Sequence, residues 1–336
     1  MLVIVMSVTM IGCATNSNSE MTSDISSQTE IPMKQPEEKT DINIGVLKGP
    51  TGIGTVKLME DNAQGKSCNQ YHFTVASGAD ELTSKLISGE VDVAAVPTNL
   101  AAVLYQKTEG DIKLAAINTL GVLYLLENGE EEVGSIVDLE GKKIYASGQG
   151  SVPEYVLDYI LKENGVEAQV EYKQDHAELA AALASGNIEI GMLPEPNVTS
   201  VMMKNDKVQI ALDMTEEWDK VNKKMGNGES KLAMGCIVVS DRFLKDNQEA
   251  FQQFLAEYKE SIDFTTHLSE TAKLVEKYEI MQNATAAEKA IPNCNIVYID
   301  GEEMKETIQS FYQVLFEANP KSVGGKLPDD SFYYIK

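Results

Sequence analysis

One stretch of this chain is written twice. ELTSKLISGEVDVAAVP, residues 81–97, matches ELAAALASGNIEIGMLP, residues 178–194, without a gap; the copies share the opening glutamate, both leucines, Ser-Gly and the final proline. Leu82 and Leu86 stand one helical turn apart, as do Leu179 and Leu183, so each copy opens with a helix burying a single stripe. Ser88-Gly89 and Ser185-Gly186 end those helices with a left-handed cap. The apolar runs 91–96 and 188–193 follow as strands, and Pro97 and Pro194 stop them.

The repeat extends upstream. Ile42–Leu47 predicts a strand, Lys48–Gly54 a glycine-rich turn, and residues 55–64 a helix; Lys143–Ala146, Ser147–Pro153 and a helix through Leu161 repeat that order. A second strand follows in each half, at Tyr71–Val75 and Gln169–Tyr172. Each half therefore reads β-α-β-α-β-α, the arrangement of a parallel sheet covered by helices, and the fold class is α/β with two lobes. Lys113–Ile117 and Gly121–Leu126 are placed to leave the first lobe, and Leu232–Val239 to return to it. Helical patterns at Glu249–Phe264, Glu270–Met281 and Met304–Phe316 then complete the first lobe, which is discontinuous. The expected division is 42–122 plus 236–336 for lobe one and 123–235 for lobe two, with Glu127–Glu132 and Asn222–Ser230 near the hinges.

With 28 Lys+Arg against 52 Asp+Glu, the formal charge of −24 argues against a general grip on nucleic-acid phosphates. The only arginine is Arg242, so a bidentate fork on an anion has one possible source. Cys68, Cys236 and Cys294 sit singly, which allows at most one disulfide and predicts free, mostly buried thiols.

Residues 1–12, MLVIVMSVTMIG, are too short an apolar run to span a bilayer and read as the core of an export signal. Met10-Ile11-Gly12-Cys13 has the form of a lipobox, which makes Cys13 the lipidated first residue of the mature protein. The charged segment that ordinarily precedes such a core is missing, leaving room for a start further upstream. From Ala14 to Asp41 the chain is polar, with Pro32 and Pro36, and reads as a tether spanning on the order of 30 Å.

In open α/β sheets, ligands collect beyond the carboxyl ends of the strands. Five loops qualify: Gly49-Pro50-Thr51-Gly52, Pro97-Thr98-Asn99, Asn118-Thr119, Gly148-Gln149-Gly150-Ser151-Val152, and Pro194-Glu195-Pro196-Asn197. Glycine lets a ligand approach the main chain, and helix N-termini behind these loops offer amides with partial positive charge. The candidate ligand-binding residues are Gly49, Pro50, Thr51, Gly52, Thr98, Asn99, Thr119, Gly150, Ser151, Val152, Glu195 and Pro196. Tyr124, Tyr155 and Trp218 are candidate walls, although tyrosines near a cleft more often pack than stack. Taken singly, the glycines equally serve tight turns, and Thr51, Thr98, Ser151 and Asn197 equally serve as helix caps.

Enzyme motifs fail in turn. Gly52-Ile-Gly54 lacks the third glycine of a dinucleotide fingerprint, and Gly49–Gly54 is followed by Thr55 where a P-loop has lysine. There is no G-x-S-x-G elbow and no H-E-x-x-H, and His72, His176 and His267 fall in different elements as surface or capping residues. No metal, cofactor or catalytic residue is expected.

With these features assembled, the chain resembles the lipid-anchored solute-binding proteins of bacterial ABC importers, in the branch of nitrate, sulfonate, taurine and thiamine-pyrimidine-precursor receptors. The resemblance rests on Met10–Cys13, the run Ile44–Gly52, Leu86–Pro97 and Ala184–Pro196. It implies a type II periplasmic-binding-protein fold, two lobes joined by two crossovers, and a small solute, an anion or a heterocycle, held in the cleft between them. It further implies a monomer on the extracytoplasmic face of the cell membrane, delivering its solute to an ABC permease. Related enzymes that make a thiamine pyrimidine carry a cysteine-rich run absent here, and Lys48 is the nearest basic residue for an anion. A cell-surface enzyme using His72 or His176 on a heterocycle, and a ligand-sensing ectodomain, are the alternatives.

Overall fold

The structure, a computed structural model, describes residues 39–129, 132–226 and 230–335; the export signal, Cys13 and nearly all of the tether lie outside the described residues. The compact unit Lys39–Lys336 opens with β1 (Asp41–Leu47), α1 (Pro50–Ile53), α2 (Val56–Ala63), β2 (Gln70–Ala76), α3 (Ala79–Ser88), β3 (Val93–Pro97), α4 (Thr98–Lys107) and β4 (Ile112–Thr119). The second part holds β5 (Leu123–Asn128), β6 (Lys143–Ser147), α5 (Val152–Asn164), β7 (Gln169–Lys173), α6 (His176–Ala184), β8 (Ile190–Pro194), α7 (Asn197–Met202), β9 (Val208–Asp213) and α8 (Met214–Met225). The last third holds β10 (Gly235–Ser240), α9 (Asp241–Asp263), α10 (Leu268–Lys277), α11 (Ala284–Ala290), β11 (Ile296–Asp300) and α12 (Gly301–Ala318). No helix among the described residues is long and apolar enough to cross a membrane.

The strands form two sheets, β11-β4-β10-β3-β1-β2 and β7-β6-β8-β5-β9, each with helices packed on it. The duplication survives as topology, since β2-β1-β3 and β7-β6-β8 are equivalent parallel triplets. Gly89 and Gly186 take positive φ behind the repeated helices, and Leu82, Leu86, Leu179 and Leu183 are fully buried, as the helical spacing requires.

Neither sheet is purely parallel, a correction with a simple cause. β10 runs against both β3 and β4, and β5 runs against both β8 and β9. Each of these strands arrives from the other lobe and enters its sheet at the edge where the neighbouring strands end, so it must run the opposite way. The run 113–117 lies in β4 and residues 123–126 in β5, strands inside each sheet, so the crossover proper is the short link Leu120–Val122 between them. Nor do the described ends of the acidic run 127–132 lie at a hinge: Glu127 is at the end of β5 away from the crossover, where it accepts the amides of Glu132 at 3.1 Å and Val133 at 3.3 Å.

One buried apolar cluster unites sheet residues Leu114, Ile117 and Cys236 of lobe one, Phe311 of α12, and Leu157 and Trp218 of lobe two. Trp218 is thus not a cleft wall. It is fully buried, 5.0 Å from Tyr159 and 5.6 Å from Phe311 between ring centroids, because α5 packs on both α8 and α12, and α12 also lies against sheet one. Cys236 and Cys294 are buried free thiols, and Cys68 is an exposed one.

Candidate ligand cleft

Strand register decides where the five loops go. Gly235, the first residue of β10, pairs with Pro97 of β3 and Thr119 of β4; Leu123 and Tyr124, which open β5, pair with Pro194 of β8 and Asp213 of β9. β5 and β10 are the strands entered from the crossovers. The loop-bearing ends of both sheets therefore border the crossovers.

In lobe one the loops knit into a cluster. Gly49 has φ 98°, and a Cβ on Gly52 would stand 2.3 Å from the Leu47 carbonyl, so the turn into Pro50 and Thr51 needs glycine at both places. Asn118 donates through Nδ2 to the Thr51 carbonyl at 3.1 Å and to the Tyr258 hydroxyl at 2.9 Å, and its Oδ1 accepts the Thr119 hydroxyl at 3.0 Å. Burial drives the Tyr258 hydroxyl upward in pKa, so it stays protonated. Thr98 is buried and its hydroxyl donates to the Ala233 carbonyl at 2.6 Å, pinning the return crossover, while Asn99 is half-buried in the first turn of α4.

Gly235 belongs to this cluster and was not among the expected residues. A Cβ there would meet Thr51 Cγ2 at 2.5 Å and Asn118 Oδ1 at 2.6 Å. The available signal was a glycine inside the apolar run Leu232–Val239, where glycine marks a close backbone approach.

In lobe two, Gly148 and Gly150 have φ 85° and 73°. The Ser151 hydroxyl donates to the Gly148 carbonyl instead of capping α5, and the Gly150 amide donates to Glu154. The Tyr155 hydroxyl donates to the Gly150 carbonyl at 2.9 Å, and Val152 turns inward at the start of the helix. A groove of about 560 Å³ between α5 and α12 reaches Gly150 and is lined also by Glu154, Tyr155, Asp158, Glu317 and Asn319.

Glu195 is only 2% exposed, and the Glu195–Pro196 peptide bond is cis. Its carboxylate accepts the Thr199 amide at 3.1 Å, the Thr199 hydroxyl at 2.9 Å and Asn293 Nδ2 at 3.1 Å; burial raises its pKa, and those three donors oppose the rise. The Tyr124 hydroxyl donates to the Asn293 carbonyl at 2.8 Å, so this tyrosine also packs and bonds internally.

The nominated residues thus fall into separate groups: Gly49, Pro50, Thr51 and Gly52 with Thr119, joined through Asn118; Thr98 and Asn99 at the start of α4, where Thr98 bonds Ala233; Gly150 with Ser151 and Val152; and Glu195 with Pro196. The two basic residues weighed for an anion have other neighbours. Arg242 binds the carbonyls of Leu86 and Ile87 and lies 3.7 Å from Asp111, and Lys48 faces Glu279 at 3.9 Å on the surface. His72 pairs with Asp41 at 2.6 Å, and His176 Nδ1 lies 2.6 Å from the Ser147 hydroxyl, with burial lowering the His176 pKa. Among the described residues no His, Cys, Asp and Glu gather as a metal site.

Solved structures carry the same architecture. An ABC transporter protein of Parabacteroides distasonis is 24% identical with a TM-score of 0.74, over 89% of this chain and 100% of that one. The fold is that of the periplasmic binding proteins. The aliphatic sulphonate-binding protein SsuA of Escherichia coli has it too, at 16% identity and a TM-score of 0.65 over 86% of this chain and 96% of its own. So does the nitrate-binding protein NrtA of Synechocystis, at 12% and 0.52, over 80% of this chain and 75% of its own. Residues 113–272 match the family described as NMT1/THI5 like. No curated protein sequence matches the chain.

Proposed function

We propose that this protein is the extracytoplasmic solute-binding component of an ABC importer, anchored through a lipid on Cys13 and working as a monomer. In this reading residues 42–122 and 236–336 form lobe one and residues 123–235 form lobe two. A small polar solute enters between them, meets the main chain of Gly49–Gly52 and Gly150–Val152 together with Thr98, Asn99, Thr119, Glu195 and Pro196, and is passed to a membrane permease. Closure follows because contacts to both lobes exist together only in the closed arrangement, so the solute shifts an equilibrium already present.

The observation that carries the reading is the register placing the loop-bearing ends of both sheets beside the crossovers. The binding-protein fold of the sulphonate and nitrate receptors supports it. An enzyme using His72 or His176 has less support, because His72 is an exposed partner of Asp41 and His176 is taken up by Ser147. A thermal-shift panel of sulfonates, nitrate and pyrimidines tests the proposal: a binder raises the melting temperature as its concentration exceeds its dissociation constant, with no product formed. Failure of every member of a broad panel, or turnover of a bound heterocycle, counts against it.

A further inference from the structure

The segment after β10 belongs to sheet one through β11, yet it touches lobe two beside both of that lobe's loops. Asn293, between α11 and β11, donates through Nδ2 to Glu195 at 3.1 Å and accepts the Tyr124 hydroxyl at its carbonyl, 2.8 Å away. Asn319, at the end of α12, donates through Nδ2 to the Tyr155 hydroxyl at 3.0 Å, and that hydroxyl donates on to Gly150. Each asparagine is held from behind. Asn295, two residues on from Asn293, binds the Gly121 carbonyl through Nδ2 at 2.6 Å and takes the Leu120 amide at 3.0 Å, tying that segment to the first crossover. Asn319 Oδ1 accepts the Lys321 amide at 3.1 Å, which fixes the direction of its NH2 group, and the turn Pro320–Val323 behind it packs on α4 of lobe one.

We propose that Asn293 and Asn319 form a two-point clasp by which lobe one positions the two loops of lobe two. That these loops meet a solute rests on the function proposed above; the hydrogen bonds of the clasp do not. A loop held by a donor from the opposite lobe keeps its shape only while the lobes stay at one spacing, so parting the lobes releases Glu195 and Gly150 together. Asn293 and Asn319 are positioning residues: each acts on a loop through Glu195 or Tyr155.

Hydrogen–deuterium exchange of the full chain, with no solute added, tests this directly. In N293A the Thr199 amide, whose acceptor is Glu195, exchanges about three- to tenfold faster while residues 148–152 keep their rates. In N319A the pattern reverses, and Y155F, which keeps the ring and removes the hydroxyl, reproduces N319A. The N293A/N319A double variant gives a larger radius of gyration by small-angle scattering. Uniform acceleration across the whole chain would assign the asparagines a merely structural role and overturn the clasp, as would unchanged rates in both loops. A solute panel without binders would remove the functional reading and leave these rates as they are.

Discussion

Gly235 is where fold and candidate cleft can be separated by one methyl group. Its backbone is outside the left-handed region, so alanine meets no conformational barrier and the effect is steric. The new Cβ would stand 2.5 Å from Thr51 Cγ2, 2.6 Å from Asn118 Oδ1 and 2.9 Å from Thr119 Cβ. Carbon atoms rest about 3.5–4.0 Å apart, so the Thr51 methyl has to retreat by about 1 Å. Thr51 can rotate, but Asn118 is held by its bonds to Thr51 and Tyr258, and Thr119 is bonded to Asn118. Overpacking at such a place costs about 2–3 kcal/mol, offset by about 0.4–1 kcal/mol because alanine restricts the unfolded chain. The net loss of about 2 kcal/mol lowers the melting temperature by about 3 °C for a chain of this size. Differential scanning calorimetry reads it, with Gly134→Ala as control, since a Cβ there has its nearest neighbour at 3.9 Å. If Gly235→Ala melts no lower than Gly134→Ala, the close approach of β10 to Thr51 and Asn118 is not what requires glycine.

Other substitutions probe other parts of the argument. Trp218→Ala should cost about 3–5 kcal/mol in urea unfolding, whereas Trp218→Phe costs far less because the buried indole N–H has no hydrogen-bond partner to lose. Gly121→Ala places a Cβ 2.1 Å from Thr215 Oγ1 and 2.9 Å from Leu232 Cδ2, pressing the two crossovers apart; a lower melting temperature and a broadened scattering profile are expected. Burial raises the Glu195 pKa, so the folded protein holds that proton more tightly than the unfolded chain, and this contribution to stability is lost as pH rises above the usual carboxylate range. Glu195→Gln removes the titration, and its stability relative to the parent should therefore improve as pH rises above the unfolded carboxylate pKa of about 4.3; a gap moving the other way would refute the burial argument.

Local patterns carried far in this chain. The helical spacing of Leu82 and Leu86, repeated at Leu179 and Leu183, and the glycines behind them state a unit that cannot cover its own apolar face alone, and both copies appear as parallel triplets. The ends of those triplets could be named as loops because a strand-to-helix turn writes itself in glycine, proline and threonine. Strand direction in β5 and β10 could not be read, since the apolar runs at 121–126 and 232–239 look the same whichever way they enter a sheet. Trp218 shows the same limit, because nothing near it in sequence announces Phe311.

By itself, then, the amino-acid order determined two related α/β halves and the stretches at which their strands turn, since both depend on interactions within a few residues. Only tertiary structure decided which groups meet at those turns. Gly235 comes against Thr51, Asn293 reaches Glu195 across 98 positions, and Asn319 reaches Tyr155 across 164. Hydrogen bonds over such separations leave no period in the sequence, because neither partner's neighbours need to change to make them.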